Sequence, residues 1–158
     1  MDVQYINPFI ESIDSVFEMM LDLHPKRNGI KLGNGSGENT ALTSLVGISG
    51  AVTGVVVLRF PELTARRVAG RMLGNDISEI NDEVVDAVSE IVNMVAGSAK
   101  AKFAYDPPLE LGLPTVVEGS NYKIKHPSQS VWLEVPFDSE AGAFTMEITF
   151  GSNGESGP

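Results

Sequence analysis

Hydrophobic residues fall at helical spacing in three stretches of this chain, with strand-sized apolar runs between and after them. The first stretch, residues 8–23, puts Phe9, Ile10, Ile13, Val16, Phe17, Met20 and Leu21 on one side. Asn7 is placed to cap it, Pro8 suits its first turn, and Pro25 and Gly29 break it. Two β-rich runs follow, 41–50 and 51–60, which meet at Ser49 and Gly50 as an antiparallel pair. A second helix is expected over 61–73, with Pro61 in its first turn and Gly74 just past its end. An acidic connector, 75–81, leads to a long helix over 82–103. Pro107, Pro108 and Pro114 mark a loop. Strand-like runs then close the chain: 115–117 with 122–125, 130–136, and 143–150. The order helix, strands, helix, helix, strands predicts a single α+β domain over 1–150, a mostly antiparallel sheet with its helices packed on one face. The Gly- and Ser-rich tail, 151–158, is expected to be disordered.

Composition narrows the chemistry. Eleven Lys and Arg against twenty-one Asp and Glu leave a net charge of −10. That balance argues against nucleic acid or an anionic membrane as partner, since both are held by basic residues neutralising phosphates. No window of about eighteen apolar residues exists to span a bilayer. The N-terminus lacks the basic-then-apolar pattern of a secretory signal, so a cytoplasmic location is expected. Without cysteine, a disulfide scaffold and a thiolate zinc site are excluded. Gly33, Gly35 and Gly37 resemble a phosphate-binding loop only superficially, because a β-rich run follows them where a helix would have to open. They are expected to form a turn.

The informative segment is the long helix. Val84, Val85, Val88, Ile91, Val92 and Val95 make one apolar stripe, the core side. Glu83, Asp86, Glu90, Asn93, Gly97 and Lys100 make the opposite one. A merely solvated stripe favours Lys, Glu, Gln and Arg, whereas Asn and Gly each cost roughly 0.5–1 kcal/mol in a helix interior. Glu90 and Asn93, at i and i+3, project side by side. Gly97, one turn on, bares the backbone to an approaching surface. On spacing alone this is either a docking surface that offers a carboxylate and a carboxamide or an ordinary polar face. A carboxamide does not titrate, so Asn93 can orient a water but cannot act as a base. Phosphoryl transfer tolerates that, because water held in line needs little base assistance.

The run Asp86-x-x-x-Glu90-x-x-Asn93, followed by Met94 and Gly97, resembles the D/S-x-x-x-E-x-x-N signature of the CheC/CheX/FliY family of chemotaxis phosphatases. The segments around Asn7-Pro8-Phe9, Val46-Gly47-Ile48-Ser49-Gly50 and Leu113-Pro114-Thr115 are similar to the CheX branch and occur in the same order. This resemblance implies the CheC/CheX-like fold and a phosphatase that removes the aspartyl-phosphate of a CheY-type response regulator. It implies that Asn93 orients the attacking water and that Glu90 pairs with the regulator's active-site lysine. Asp86, Gly97 and Lys100 would contact the partner. The regulator would bring the divalent cation, Mg, so that this chain binds no cofactor or metal of its own. Homodimers formed through the sheets are also implied. Relatives with two active sites repeat the motif on the first helix. Here that stretch reads Asn7-x-x-x-Glu11-x-x-Asp14, with an anionic side chain where the amide belongs, so one site per chain is expected.

The other candidates have ordinary readings. His24 and His126 lack an i+4 partner and read as surface residues. Trp132 is expected on the opposite strand face from Leu133, as a core or dimer contact. A second functional reading is a non-catalytic adaptor that docks regulators and leaves their phosphate alone.

Overall fold

The computed structural model describes residues 3–33, 39–120, 122–124 and 131–152. The expected hairpin is present: β3 (Leu42–Ser49) and β4 (Val52–Phe60) pair from Leu42 opposite Phe60 to Ile48 opposite Gly54. On its other side β4 pairs with β8 (Gly142–Ser152), which turns back on β7 (Trp132–Ser139). Short strands line the edges. β1 (Lys26–Arg27) and β2 (Lys31–Gly33) lie on β7, and β5 (Glu110–Leu111) and β6 (Thr115–Glu118) lie on β3. All of these pairings are antiparallel.

The edge strands β1, β2 and β5 are two or three residues long and largely exposed, so no apolar alternation announces them. Gly33 ends β2 and is not part of a free turn; residues 34–37 lie outside the described residues. The strand expected at 122–125 is reduced to a single bridge at Lys123, and Lys125 and His126 lie outside the described residues. Gly119, at φ +94, turns the chain away after β6, and the Tyr122 hydroxyl meets Thr43 instead of joining the sheet. β8 continues through Gly151 and Ser152, two residues into the expected tail, while 153–158 lie outside the described residues.

The helix ends follow capping chemistry with local differences. A 3-10 turn (Val3–Ile6) runs straight into α1 (Asn7–Leu21), so Asn7 is its first residue and not its cap. The backbone at Ile6 is already helical, which removes the extended position that a capping side chain needs. α1 stops at Leu21 because Asp22 turns left-handed, at φ 52, and the N–H groups of Asp22 and Leu23 return to the carbonyls of Glu18 and Phe17. Pro61 precedes α2 (Glu62–Leu73) in an extended conformation and does not sit within its first turn, whereas Gly74 takes the left-handed position after it. Asn81 caps α3 (Asp82–Lys100), accepting a bond from the Val84 N–H at 3.0 Å. α3 ends three residues before the expected Phe103.

All three helices cover one face of the sheet. Their buried residues join the inward strand positions, such as Val46, Val56, Leu58, Met146 and Ile148, in one core. Phe17, Phe137 and Phe60 stack about Phe144, with ring centroids 4.7, 5.1 and 5.6 Å apart. Met20, expected in this core, is 45% exposed, because Phe17 and Leu21 already occupy the inward face of that turn. The opposite sheet face is polar yet partly buried. Trp132 sits there, apart from Leu133 on the core face. Glu147 stands opposite Glu134 across β7 and β8, a like-charge pair that would be unfavourable alone. Each carboxylate has its own cation: Lys31 reaches Glu134 at 3.0 Å, and buried Arg59 pairs with buried Glu147.

Removing one member of a buried pair leaves the other charge stranded. Arg59→Met is expected to cost about 3–5 kcal/mol in urea unfolding. The double change Arg59→Met with Glu147→Met is expected to recover most of that loss. A second linkage joins the end of α1 to the β7–β8 turn, where the His24 N–H and Nδ1 lie 2.7 and 2.8 Å from Glu140. The bond to Glu140 raises the His24 pKa, and the His24 main chain and ring together hold Glu140 down at about 2. The stabilisation is complete between the ordinary Glu and His values, fades as pH falls toward 2, and is lost as pH rises through the raised His24 value. His24→Gln should therefore flatten the fall in thermal midpoint as pH rises above the ordinary His value, followed by circular dichroism.

Candidate active site

α3 lies in the middle of the helical layer, with α1 and α2 against it and β3 and β4 beneath it. Val84, Val88, Ile91, Val92 and Val95 are buried as the periodicity predicts, joined by Ala87, Ala96 and Ala99; Val85 is half-buried. Alanine at three inward positions lets the helix sit close to its neighbours. The Asn81 cap, acidic Asp82 and Glu83 in the first turn and Lys100 in the last complement the helix dipole. A helix anchored over its whole length presents its outward stripe from a rigid support.

That stripe is the one read from the sequence. Asp86 and Glu90 are exposed, and Asn93, Gly97 and Lys100 are half-buried. Among the described residues, no hydrogen bond or ion pair engages the Glu90 carboxylate or the Asn93 amide. Both groups are available to something outside the chain. A Cβ added at Gly97 would meet nothing within 4 Å, so no internal contact requires glycine there. Its helical backbone does not require it either.

Two walls of the site come from another helix. Met72 and Leu73, at the end of α2, line a cleft of about 210 Å³ together with Glu83, Asp86, Ala87 and Glu90. The Leu73 side chain is 44% exposed. Nothing in the periodicity of α2 marks these two residues as neighbours of Glu90; only the packing of α2 on α3 brings them there.

The corresponding stretch of α1 is arranged differently. Glu11 and Asp14 line a separate cleft of about 300 Å³ with Asn7 and Arg27. Glu11 lies 3.8 Å from the Lys102 ammonium. Partial burial raises the Asp14 pKa, the positive charge of Arg27 opposes it, and Glu11 and Glu18 add to it. These carboxylates have cations of this chain beside them, unlike Glu90. Among the described residues no group of three or more His, Asp or Glu side chains is arranged to hold a metal ion. No described helix is long and apolar enough to cross a membrane.

An antiparallel sheet with three helices on one face is the fold this chain shares with CheC-like proteins. A CheC-like superfamily protein of Shewanella sp. PV-4 is 30% identical and superimposes with a TM-score of 0.85, covering 96% of this chain and all of that one. The chemotaxis protein CheX of Vibrio vulnificus is 31% identical with a TM-score of 0.83, over 94% of this chain and 99% of that one. The CheY-P phosphatase CheX of Thermotoga maritima is 28% identical over 138 residues, 86% of this chain and 88% of that protein. The family described as chemotaxis phosphatase CheX matches residues 42–138. The chain belongs to that family.

Gly97 gives a stability test of the open stripe. Because a methyl group there meets no neighbour, Gly97→Ala should stabilise the protein by about 0.5–1 kcal/mol, the helix-propensity difference. A loss of stability in urea unfolding would mean that Gly97 has an internal packing role.

Proposed function

We propose that this chain hydrolyses the aspartyl-phosphate of a CheY-type response regulator, with Asn93 and Glu90 as its catalytic residues. The observation that carries this reading is the pair of unengaged side chains, one carboxylate and one carboxamide, on the central helix of a CheX-family fold. The relative from Thermotoga maritima, described as a CheY-P phosphatase, supports the substrate class. The Asn93 amide holds a water in line with the phosphorus. As the water oxygen bonds to phosphorus, the bond from phosphorus to the aspartyl oxygen breaks. The aspartate carboxylate and inorganic phosphate are released, and the water's proton passes to phosphate or solvent. Glu90 pairs with a lysine of the regulator and fixes its orientation. Asp86, Gly97 and Lys100 contact the partner around this pair. A neutral amide suits the place, because a carboxylate beside the phosphoryl group would repel it.

In this reading the regulator supplies the divalent cation that neutralises phosphoryl charge, and the protein works in the cytoplasm beside its substrate. Two copies are proposed to pair through their sheets. The edge carrying β2, where Leu32 is 75% exposed, offers an apolar contact for that purpose.

Steady-state release of phosphate from a phosphorylated regulator is the direct test. Asn93→Ala and Glu90→Ala should each lower kcat/KM at least about tenfold while the fold is kept, about 1.4 kcal/mol or more of transition-state stabilisation. Gly97→Leu should raise KM by obstructing approach to the helix. Regulator binding by the wild-type protein with no change in phosphate lifetime would instead establish the adaptor.

A further inference from the structure

Electrostatics leaves this function incomplete. A chain of net charge −10 has to approach an aspartyl-phosphate, which is itself anionic, and the first half of α3 carries four of its acids, Asp82, Glu83, Asp86 and Glu90. Lys100 is a single cation at the far end of the same stripe. The chain has five arginines, and three of them, Arg66, Arg67 and Arg71, lie on α2. They line a groove of about 810 Å³ between α2, the start of the connector to α3 and the β7–β8 turn. Gly70 is what allows the connector so close: a Cβ there would lie 2.7 Å from the Asn75 carbonyl oxygen.

These arginines have no carboxylate partners. No ion pair among the described residues involves any of the three, although acids outnumber bases almost two to one in the chain. Arg66 donates from Nη1 to the carbonyls of Ile77 and Ser78, at 3.4 and 3.3 Å, which holds its guanidinium in place. Its Nε is buried without a partner. Arg71 reaches the Leu21 carbonyl at 3.3 Å. Arg67 is exposed and makes no hydrogen bond or ion pair among the described residues. Of the two acids that also line the groove, Glu140 is already taken by His24, which leaves Asp76. The net character is positive, and the planar guanidinium groups, those of Arg66 and Arg71 held by main-chain carbonyls, suit carboxylates.

The groove and the cleft beside Glu90 are both built on α2. Gly70, Arg71 and Gly74 line the groove, while Met72 and Leu73, on the same last turn of α2, wall the cleft. We propose that the arginine groove of α2 is a second docking surface, which receives an acidic surface segment of the phosphorylated response regulator while Glu90 and Asn93 engage its phosphorylation site. The proposal rests on the phosphatase reading. It assigns the positive end of the encounter to α2, so that a strongly acidic protein is attracted locally to an acidic target.

The test is steady-state dephosphorylation of a phosphorylated CheY-type regulator at rising salt, with circular dichroism and thermal midpoints to confirm folding. Arg67→Glu, at a side chain without internal bonds, and the double change Arg66→Gln with Arg67→Gln should raise KM about tenfold at low salt and leave kcat within about twofold. Both should flatten the dependence of KM on ionic strength. If the folded variants keep the wild-type KM and salt dependence, the proposal is overturned, including where millimolar pyrophosphate raises the thermal midpoint of the wild type alone, which would make the groove a small-anion site. If Asn93→Ala hydrolyses at the wild-type rate, the catalytic assignment fails instead. Docking is then decided by the Kd of a beryllofluoride-activated regulator, which the arginine variants should weaken about tenfold and which, unchanged, would overturn the proposal.

Discussion

Burial of the valine and alanine side of α3 is the constraint on which the rest of this molecule depends. Val84, Val88, Ile91, Val92 and Val95 can leave water only if a sheet lies beneath them, and Ala87, Ala96 and Ala99 admit α1 and α2 close alongside. Each fully buried valine contributes on the order of 1.5 kcal/mol or more, so rotation of α3 about its axis would expose several such side chains at once. The outward direction of Glu90 and Asn93 follows from that. Neither needs a hydrogen bond of its own to be aimed, because the helix that carries them cannot turn.

The same economy explains why the site is plain. A side chain held by its neighbours is not free to enter a partner, and Glu11 on α1 shows the contrast, with Lys102 beside it. Glu90 and Asn93 have no such company, and Gly97 leaves open space where a better helix former would fit. Local stability is forgone along this stripe in favour of access. Arg66 and Arg67 on α2 fit the same pattern: cations without carboxylate partners, in a protein with carboxylates to spare.

The other face of the sheet works oppositely. There Arg59 and Glu147 are buried together, and Lys31 attends to Glu134, so that charges on the strands neutralise one another. Paired charges on that face hold strands in register, because a one-residue slip of β8 would turn Glu147 into the apolar core. Unpaired charges on the helical face remain for a partner. The division lies between two faces of one sheet layer.

The amino-acid sequence by itself determined the three helices, the β3–β4 hairpin, the α+β class and the stripe from Asp86 to Lys100, because each rests on periodicity or capping among residues close in the chain. The family signature also belongs to a single helix and was legible there. The limits of Asn7 as a cap, the exposure of Met20 and the short strands at Lys26, Lys31 and Glu110 were not, since each depends on what precedes the helix, what competes for the core, or which edge is left open. Tertiary structure alone decided that Met72 and Leu73 wall the cleft beside Glu90, that Arg59 meets Glu147 across 88 residues, and that the connector and the β7–β8 turn complete a groove beside the arginines of α2. These are contacts between elements, and a linear pattern specifies which side of each element is apolar but not which neighbour will cover it.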